Sequence, residues 1–261
     1  MDSGLRGRVV LITGGARGIG FAAAQMFAAE GAKLALVDIN GAAAQEAAAR
    51  LVEGGAEAIG IGADITDPAQ CAAMIATAEA ALGPLAVVVN SAALLDDKTF
   101  LESSPADWKR IIDVCLYGAM NVLHAALPGM VERRFGRVVV MASDSARLGQ
   151  ARLSYYAAAK AGVIALVKSI AQEVGGAGVT LNVVSPGATN TELRKDRETG
   201  LRASMGEEKY ARRVKSVLKM YPTGRIGEPD DIAAAIVYLG SASAGWVTGQ
   251  VLSVNGGFTM P

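Results

Sequence analysis

The chain has 261 residues, 51% of them hydrophobic, which is enough for a large buried core in one α/β domain spanning residues 1–261. Its 25 basic and 25 acidic side chains cancel, so no net field draws it to nucleic acid or to an anionic membrane. Two cysteines, Cys71 and Cys115, with no Cys-x-x-Cys pair and a lone His124, argue against a zinc site, and no metal is expected.

The opening MDSGLRGR lacks the apolar stretch of a signal peptide, and no uninterrupted apolar run approaches the roughly 20 residues of a membrane span. A cytoplasmic protein in a reducing compartment fits both features. In chain order, RVVLIT, KLALVD, AEAIGI, LAVVVN, GRVVVMAS, VTLNVVS and QVLSV are apolar runs of strand length. Strands buried on both faces have this composition. Ala-rich stretches of helical length lie between them, most opening on a capping residue or Pro and closing on Gly. Parallel neighbours need a crossover, so the alternation predicts a doubly wound Rossmann fold: a parallel seven-stranded sheet with helices on both faces. One segment breaks the rhythm. Residues 190–221 are polar, rich in Lys and Arg, and follow a strand end, where loops line the ligand crevice. They read as a substrate lid or as a solvated surface helix.

Thr13-Gly14-Gly15-Ala16-Arg17-Gly18-Ile19-Gly20 runs from the first strand into the first helix. Glycines there permit a tight turn and let amides approach a pyrophosphate at the positive end of the helix. Gly14, Arg17, Gly18, Ile19 and Gly20 are therefore candidate cofactor contacts. Asp38 closes the second strand about 20 residues on, where an acid can accept hydrogen bonds from ribose hydroxyls. It would also repel the extra phosphate of NADP, so NAD is the expected cofactor; Arg17 argues weakly the other way.

Tyr156 and Lys160 stand four apart near the start of a helix, which puts them on one face. A phenol with an ordinary pKa near 10 is a poor base at neutral pH; a neighbouring ammonium would lower it and let Tyr156 exchange a substrate proton. Such pairs on helices are usually surface pairs or amphipathic edges. Tyr155 points about 100° away around the helix and reads as packing or pocket lining.

With Asp64 after the third strand, Asn90 after the fourth, Ser143 thirteen residues before Tyr156, YAAAK, Ser185-Pro186-Gly187 and the terminal GRIGEPDDIAAAIVYLGS…WVTGQVLSVNGG, the chain resembles the short-chain dehydrogenase/reductase family over essentially its whole length. The likeness is to its 3-oxoacyl reductase and alcohol dehydrogenase-like members. The resemblance implies an NAD(H)-dependent oxidoreductase interconverting a secondary alcohol and a ketone, with Ser143, Tyr156 and Lys160 catalytic. It implies that Asp64 and Ile65 meet the adenine, that Asn90 steadies the ribose region, and that Lys160 contacts the nicotinamide ribose. Tyr156, Pro186, Gly187, Thr189 and Thr191 are implied on the nicotinamide side, and a homotetramer is implied as the assembly.

Two positions depart from the family pattern. Asn90-Ser91-Ala92-Ala93 has Ala where the family commonly has Gly, and Cys115 stands where an Asn usually helps hold a water behind the lysine. Cys cannot reproduce an amide. An ordinary enzyme, a weakly active one and an NAD-binding regulatory protein therefore all stay open. The basic excess between Glu192 and Lys219, with Arg147, suggests a substrate bearing a carboxylate or a CoA thioester; a solvated lid accounts for the same charges. The segment MVERRFGRVVVMASDSARLG also resembles members acting on cyclic hydroxyacyl-CoA compounds, which the resemblance makes a candidate substrate class.

Overall fold

The computed structural model describes residues 3–260. Seven parallel strands form one sheet in the order β3-β2-β1-β4-β5-β6-β7. These are β1 (Val9–Thr13), β2 (Lys33–Asp38), β3 (Ala58–Gly62), β4 (Leu85–Asn90), β5 (Gly136–Met141), β6 (Val179–Pro186) and β7 (Val251–Val254). All seven coincide with the apolar runs of the sequence. Because side chains alternate along a strand, β1 divides its residues: Val9 and Leu11 enter one core, Val10 and Ile12 the other.

The first core is covered by α3 (Pro68–Leu82), α5 (Gly118–Glu132) and α7 (Ser154–Val174). The second is covered by α1 (Gly18–Ala29), α2 (Gly41–Glu53) and α10 (Pro229–Gly240). Local chemistry sets the helix starts. Asp67 accepts from the Ala69 amide at 2.8 Å ahead of Pro68, and Glu228 and Asp231 form a capping box around Pro229. Strand order reverses between β1 and β4, which opens the crevice at their carboxyl ends.

The long helical stretch expected after β4 is continuous but not uniform. α4 (Pro105–Ile112) passes into α5 through a π-helical turn at Asp113–Tyr117, and Cys115 is the buried residue of that turn. By length and mean hydropathy this 28-residue helix passes the test for a bilayer crossing, although Asn121 and His124 interrupt its apolar residues, in keeping with the sequence reading. Its residues Ile111, Ala119, Val122, Ala126 and Met130 are nevertheless buried at helical spacing, as in a helix packed on a core.

Residues 190–221 form two helices, α8 (Glu192–Met205) and α9 (Glu207–Leu218), hinged at Gly206 with φ +80°. The short α6 (Ser145–Leu148) follows β5. At the Ala93 departure φ is not positive, so a methyl is accommodated without backbone strain.

Candidate active site

The crevice is a cleft of about 560 Å³. One end is built by the β1–α1 turn. Gly14 and Gly18 have φ of +63° and +55°, and a Cβ on Gly20 would sit 2.2 Å from the Gly14 carbonyl oxygen. A Cβ on Gly14 would meet the Ala92 backbone at 2.9 Å. The turn therefore tolerates no side chain at these points, and α1 begins with no side-chain cap and no acid in its first turn. Its amides remain available to an anion. Asp38 lines the cleft at the end of β2 and accepts from the Asn40 amide at 3.1 Å. This donor set fits a dinucleotide: a glycine cradle for phosphate, and a carboxylate where ribose hydroxyls would fall.

Asp64 and Ile65 line the same end, the Asp64 carboxylate accepting from the Thr66 amide and hydroxyl at 2.9 and 2.8 Å. Asn90 stands apart from the other cofactor candidates. It is buried, its Oδ1 accepts from Thr13 Oγ1 at 2.7 Å, and it lies behind the cleft wall rather than in it. Its hydrogen bond with Thr13 ties β4 to β1.

At the other end, Ser143, Tyr156 and Lys160 converge beside Pro186, Gly187, Thr189 and Thr191. Tyr156 and Lys160 share one face of α7, with Nζ 5.9 Å from the centre of the phenol ring. Lys160 is fully buried, and its ammonium donates to the Met141 carbonyl at 2.7 Å. Burial holds the Lys160 pKa below the ordinary lysine value, with Cys115 acting in the opposite sense. Burial pushes the Tyr156 phenol well above its ordinary value, Cys115 adds to this, and hydrogen bonding with Ser143 pulls it back. Ser143 Oγ accepts from the Ser145 hydroxyl at 2.9 Å and the Ser145 amide at 3.3 Å.

Tyr155 is buried outside the cleft, and its phenol is pushed up to about 12, first by burial and then by Asp96. Thr191 Oγ1 accepts from the Arg194 amide at 3.3 Å, so the same side chain caps α8 and lines the cleft. Cys115 lies behind Tyr156 among apolar side chains and donates to the Leu94 carbonyl at 3.4 Å.

Sequence reasoning missed the wall residues Leu94, Leu95, Leu153, Tyr221 and Phe258, which lie on four separated segments. Tyr221 and Phe258 stack at 5.1 Å, and Tyr221 Oη accepts from the Ala188 amide at 2.9 Å. Apolar side chains outside any motif carry no signal that topology does not first supply. Most arginines of residues 190–221 are paired with acids. Arg194 and Arg213 pair with Glu198, Arg197 with Asp97, Arg202 with Glu207 and Arg212 with Glu208. Among the described residues no group of three His, Cys, Asp or Glu could hold a metal.

A doubly wound sheet with a glycine cradle and a Ser-Tyr-Lys constellation in one cleft defines an oxidoreductase that uses a nicotinamide cofactor. The family model described as enoyl-(acyl carrier protein) reductase matches residues 14–259, and the chain belongs to the short-chain dehydrogenase/reductase family. It is 38% identical to 2-(S)-hydroxypropyl-CoM dehydrogenase 3 of Xanthobacter autotrophicus, over 99% of both chains. It is 41% identical to the inactive 2-(S)-hydroxypropyl-CoM dehydrogenase 2 of the same organism, over 88% of this chain and 96% of the relative. It is 36% identical to the acetoacetyl-CoA reductase of Shinella zoogloeoides, over 96% of this chain and 98% of the relative.

Proposed function

We propose that the protein interconverts a secondary alcohol and a ketone with NAD(H), Tyr156 exchanging the proton at the substrate oxygen. The observation that carries this reading is the convergence of Ser143, Tyr156 and Lys160 in the cleft that the glycine cradle opens. A bound nicotinamide supplies the hydride acceptor or donor and, when oxidised, a positive charge. Ser143 orients the substrate oxygen, Tyr156 gives or takes its proton, and Lys160 keeps a cation near the phenol. In the protein alone, burial holds Tyr156 protonated. Positive charge brought into the cleft favours the phenolate, which ties proton transfer to loading of the cofactor. The α8–α9 segment is the lid over the substrate end.

NAD over NADP rests on Asp38, with no basic side chain immediately after β2, where Ile39 and Asn40 follow. Competing turnover with the two cofactors tests this; a clear preference for NADP overturns it. For the substrate we propose a compound with an anionic tail, a carboxylate or a CoA thioester. Arg194, Arg197 and Arg213 line the cleft, and two relatives carry CoM and CoA in their names. Rates with a free ketone, a keto acid and a 3-oxoacyl-CoA decide the matter, and equal rates would count against the anionic tail. A cytoplasmic homotetramer completes the reading, checked by sedimentation.

A second reading has its own support. Cys115 replaces the residue expected behind Lys160, and one relative is named as inactive. On that reading the chain binds NAD without turnover. NADH formation across a panel of secondary alcohols separates the two, and Cys115→Asn, expected to change the rate less than threefold, isolates the thiol.

A further inference from the structure

Asp144 directly follows Ser143 and is buried to 2% exposure, yet no cation pairs with it among the described residues. Burying a carboxylate is costly unless its oxygens are satisfied, so its partners define its task. Oδ1 accepts from Ser185 Oγ at 2.8 Å, and Oδ2 accepts from Asn255 Nδ2 at 2.5 Å. Asn255 has only one possible orientation, because its Oδ1 accepts from the Gly257 amide at 3.0 Å while Nδ2 also donates to the Thr259 carbonyl at 3.0 Å. The Asp144 amide donates to the Pro186 carbonyl at 3.1 Å. Three segments meet at one carboxylate: the end of β5 with Ser143, the end of β6 with Pro186 and Gly187, and the turn after β7.

The contact is tight on each side. A Cβ on Gly187 would fall 3.0 Å from Asn255 Cβ, and one on Gly257 would fall 2.8 Å from Pro222 at the end of the lid. The same turn carries Phe258 onto Tyr221, so it builds one wall of the cleft.

We propose that Asp144 is a positioning residue that locks the C-terminal turn Asn255–Phe258 to the β5 and β6 ends and thereby sets Ser143 and Gly187 for the reaction. This rests on the alcohol–ketone reading above. A carboxylate suits the place because both of its partners donate. An amide at position 144 still serves, since Ser185 can reverse and accept while the amide oxygen keeps Asn255. Alanine serves neither.

The test compares Asp144→Ala, Asp144→Asn, Asn255→Ala and the double alanine variant, with kcat counted per NADH-binding site so that misfolded protein does not enter. Expected are a tenfold or greater fall in kcat for Asp144→Ala and Asn255→Ala, a smaller change in KM, and NADH affinity within threefold. Asp144→Asn should stay within threefold of the parent, and the double variant should be no worse than the poorer single. A kcat within twofold of the parent in both single alanine variants overturns the proposal, as does Asp144→Asn falling as far as Asp144→Ala. If Asp144→Ala does not fold, Asn255→Ala removes the same tie. If the parent oxidises none of the alcohols, the functional reading fails by itself. Amide exchange at Gly187, Ala188 and Gly257 then decides: a tenfold acceleration in the alanine variants supports the lock, and unchanged exchange sinks it.

Discussion

Asp97→Asn probes what holds α8 over the cleft. Asp97 follows β4, and its carboxylate accepts from the guanidiniums of Arg152, in the loop before α7, and Arg197 on α8. Arg152 also donates to the Asp97 carbonyl at 2.9 Å. The Asp97 and Arg197 side chains are 19% and 17% exposed, so solvent screens this pair only in part. Hydrogen bonds to charged groups contribute about 1.5–3 kcal/mol and neutral ones about 0.5–1.5. An amide keeps one acceptor oxygen and loses the charge, so α8 should lose about 1–2 kcal/mol of attachment. At about 1.4 kcal/mol per tenfold, amide exchange within Glu192–Met205 should speed up roughly tenfold. Burial alone would raise the Asp97 pKa, but the hydrogen bonds and charges of Arg197 and Arg152 outweigh it and hold it below the ordinary carboxylate value. A depressed folded pKa contributes stability above the unfolded value, about 3.9, and loses it as pH falls through the folded value. The latch should therefore hold constant from neutrality to about pH 5 and weaken below about pH 4. Exchange in α8 within twofold of the parent, or a latch that already weakens between pH 8 and 6, would refute the reasoning.

Tyr156→Phe should lower kcat by about 10²–10⁴, the usual contribution of a general acid or base, while NAD affinity measured by calorimetry stays within threefold. Tyr155→Phe, one position away but outside the cleft, should leave kcat within twofold; a loss comparable to that of Tyr156→Phe would reassign the proton carrier. Gly20→Ala places a methyl 2.2 Å from the Gly14 carbonyl, so NAD affinity should fall at least tenfold, about 1.4 kcal/mol, in the same titration. Asp38→Ala should narrow the ratio of NAD to NADP turnover at least tenfold; an unchanged ratio would remove Asp38 as the discriminator.

The sheet was legible because strands buried on both faces leave an unbroken apolar signature, as β1, β2, β4, β5 and β6 do, and the half-exposed edge strands β3 and β7 still read as short, mostly apolar runs bounded by Gly and polar residues. The cradle was legible because glycine is obligatory where a carbonyl lies 2.2 Å from the space a Cβ would take. What escaped was set by distance in the chain. Asp144 and Asn255 are 111 residues apart, and Asp97 and Arg197 are 100 apart. No local spacing announces such pairs. Residues 190–221 show what summing charge along a sequence leaves out: folding sets Glu198 between Arg194 and Arg213, so part of the basic excess is balanced within the protein even though Arg194, Arg197 and Arg213 line the cleft. Asn90, which the family resemblance implies steadies the ribose region, is joined to β1 by the hydrogen bond from Thr13, a pairing 77 residues apart that no local spacing announces.

Cys115 acquires a meaning from its neighbours that its identity alone lacked. Behind Tyr156, Cys115 of the π turn packs with Ile111 of α4 and Ala159 of α7 as an apolar floor in which the thiol is already engaged with the Leu94 carbonyl. Lys160 does not wait on residue 115 for a partner, because the Met141 carbonyl holds its ammonium at 2.7 Å. A proton crossing that floor would have to be desolvated with few polar groups to carry it. On the cleft side the hydroxyls of Ser143 and Ser145 stand 2.9 Å apart beside the phenol, and both residues line the opening. For the proposed reaction the low-cost path therefore runs along the serine side to cleft water, and the loss of an amide at position 115 removes a route this site does not depend on. That is why Cys115→Asn is expected to be nearly silent while changes at Ser143 and Tyr156 are not, and why the active reading stands ahead of the silent one.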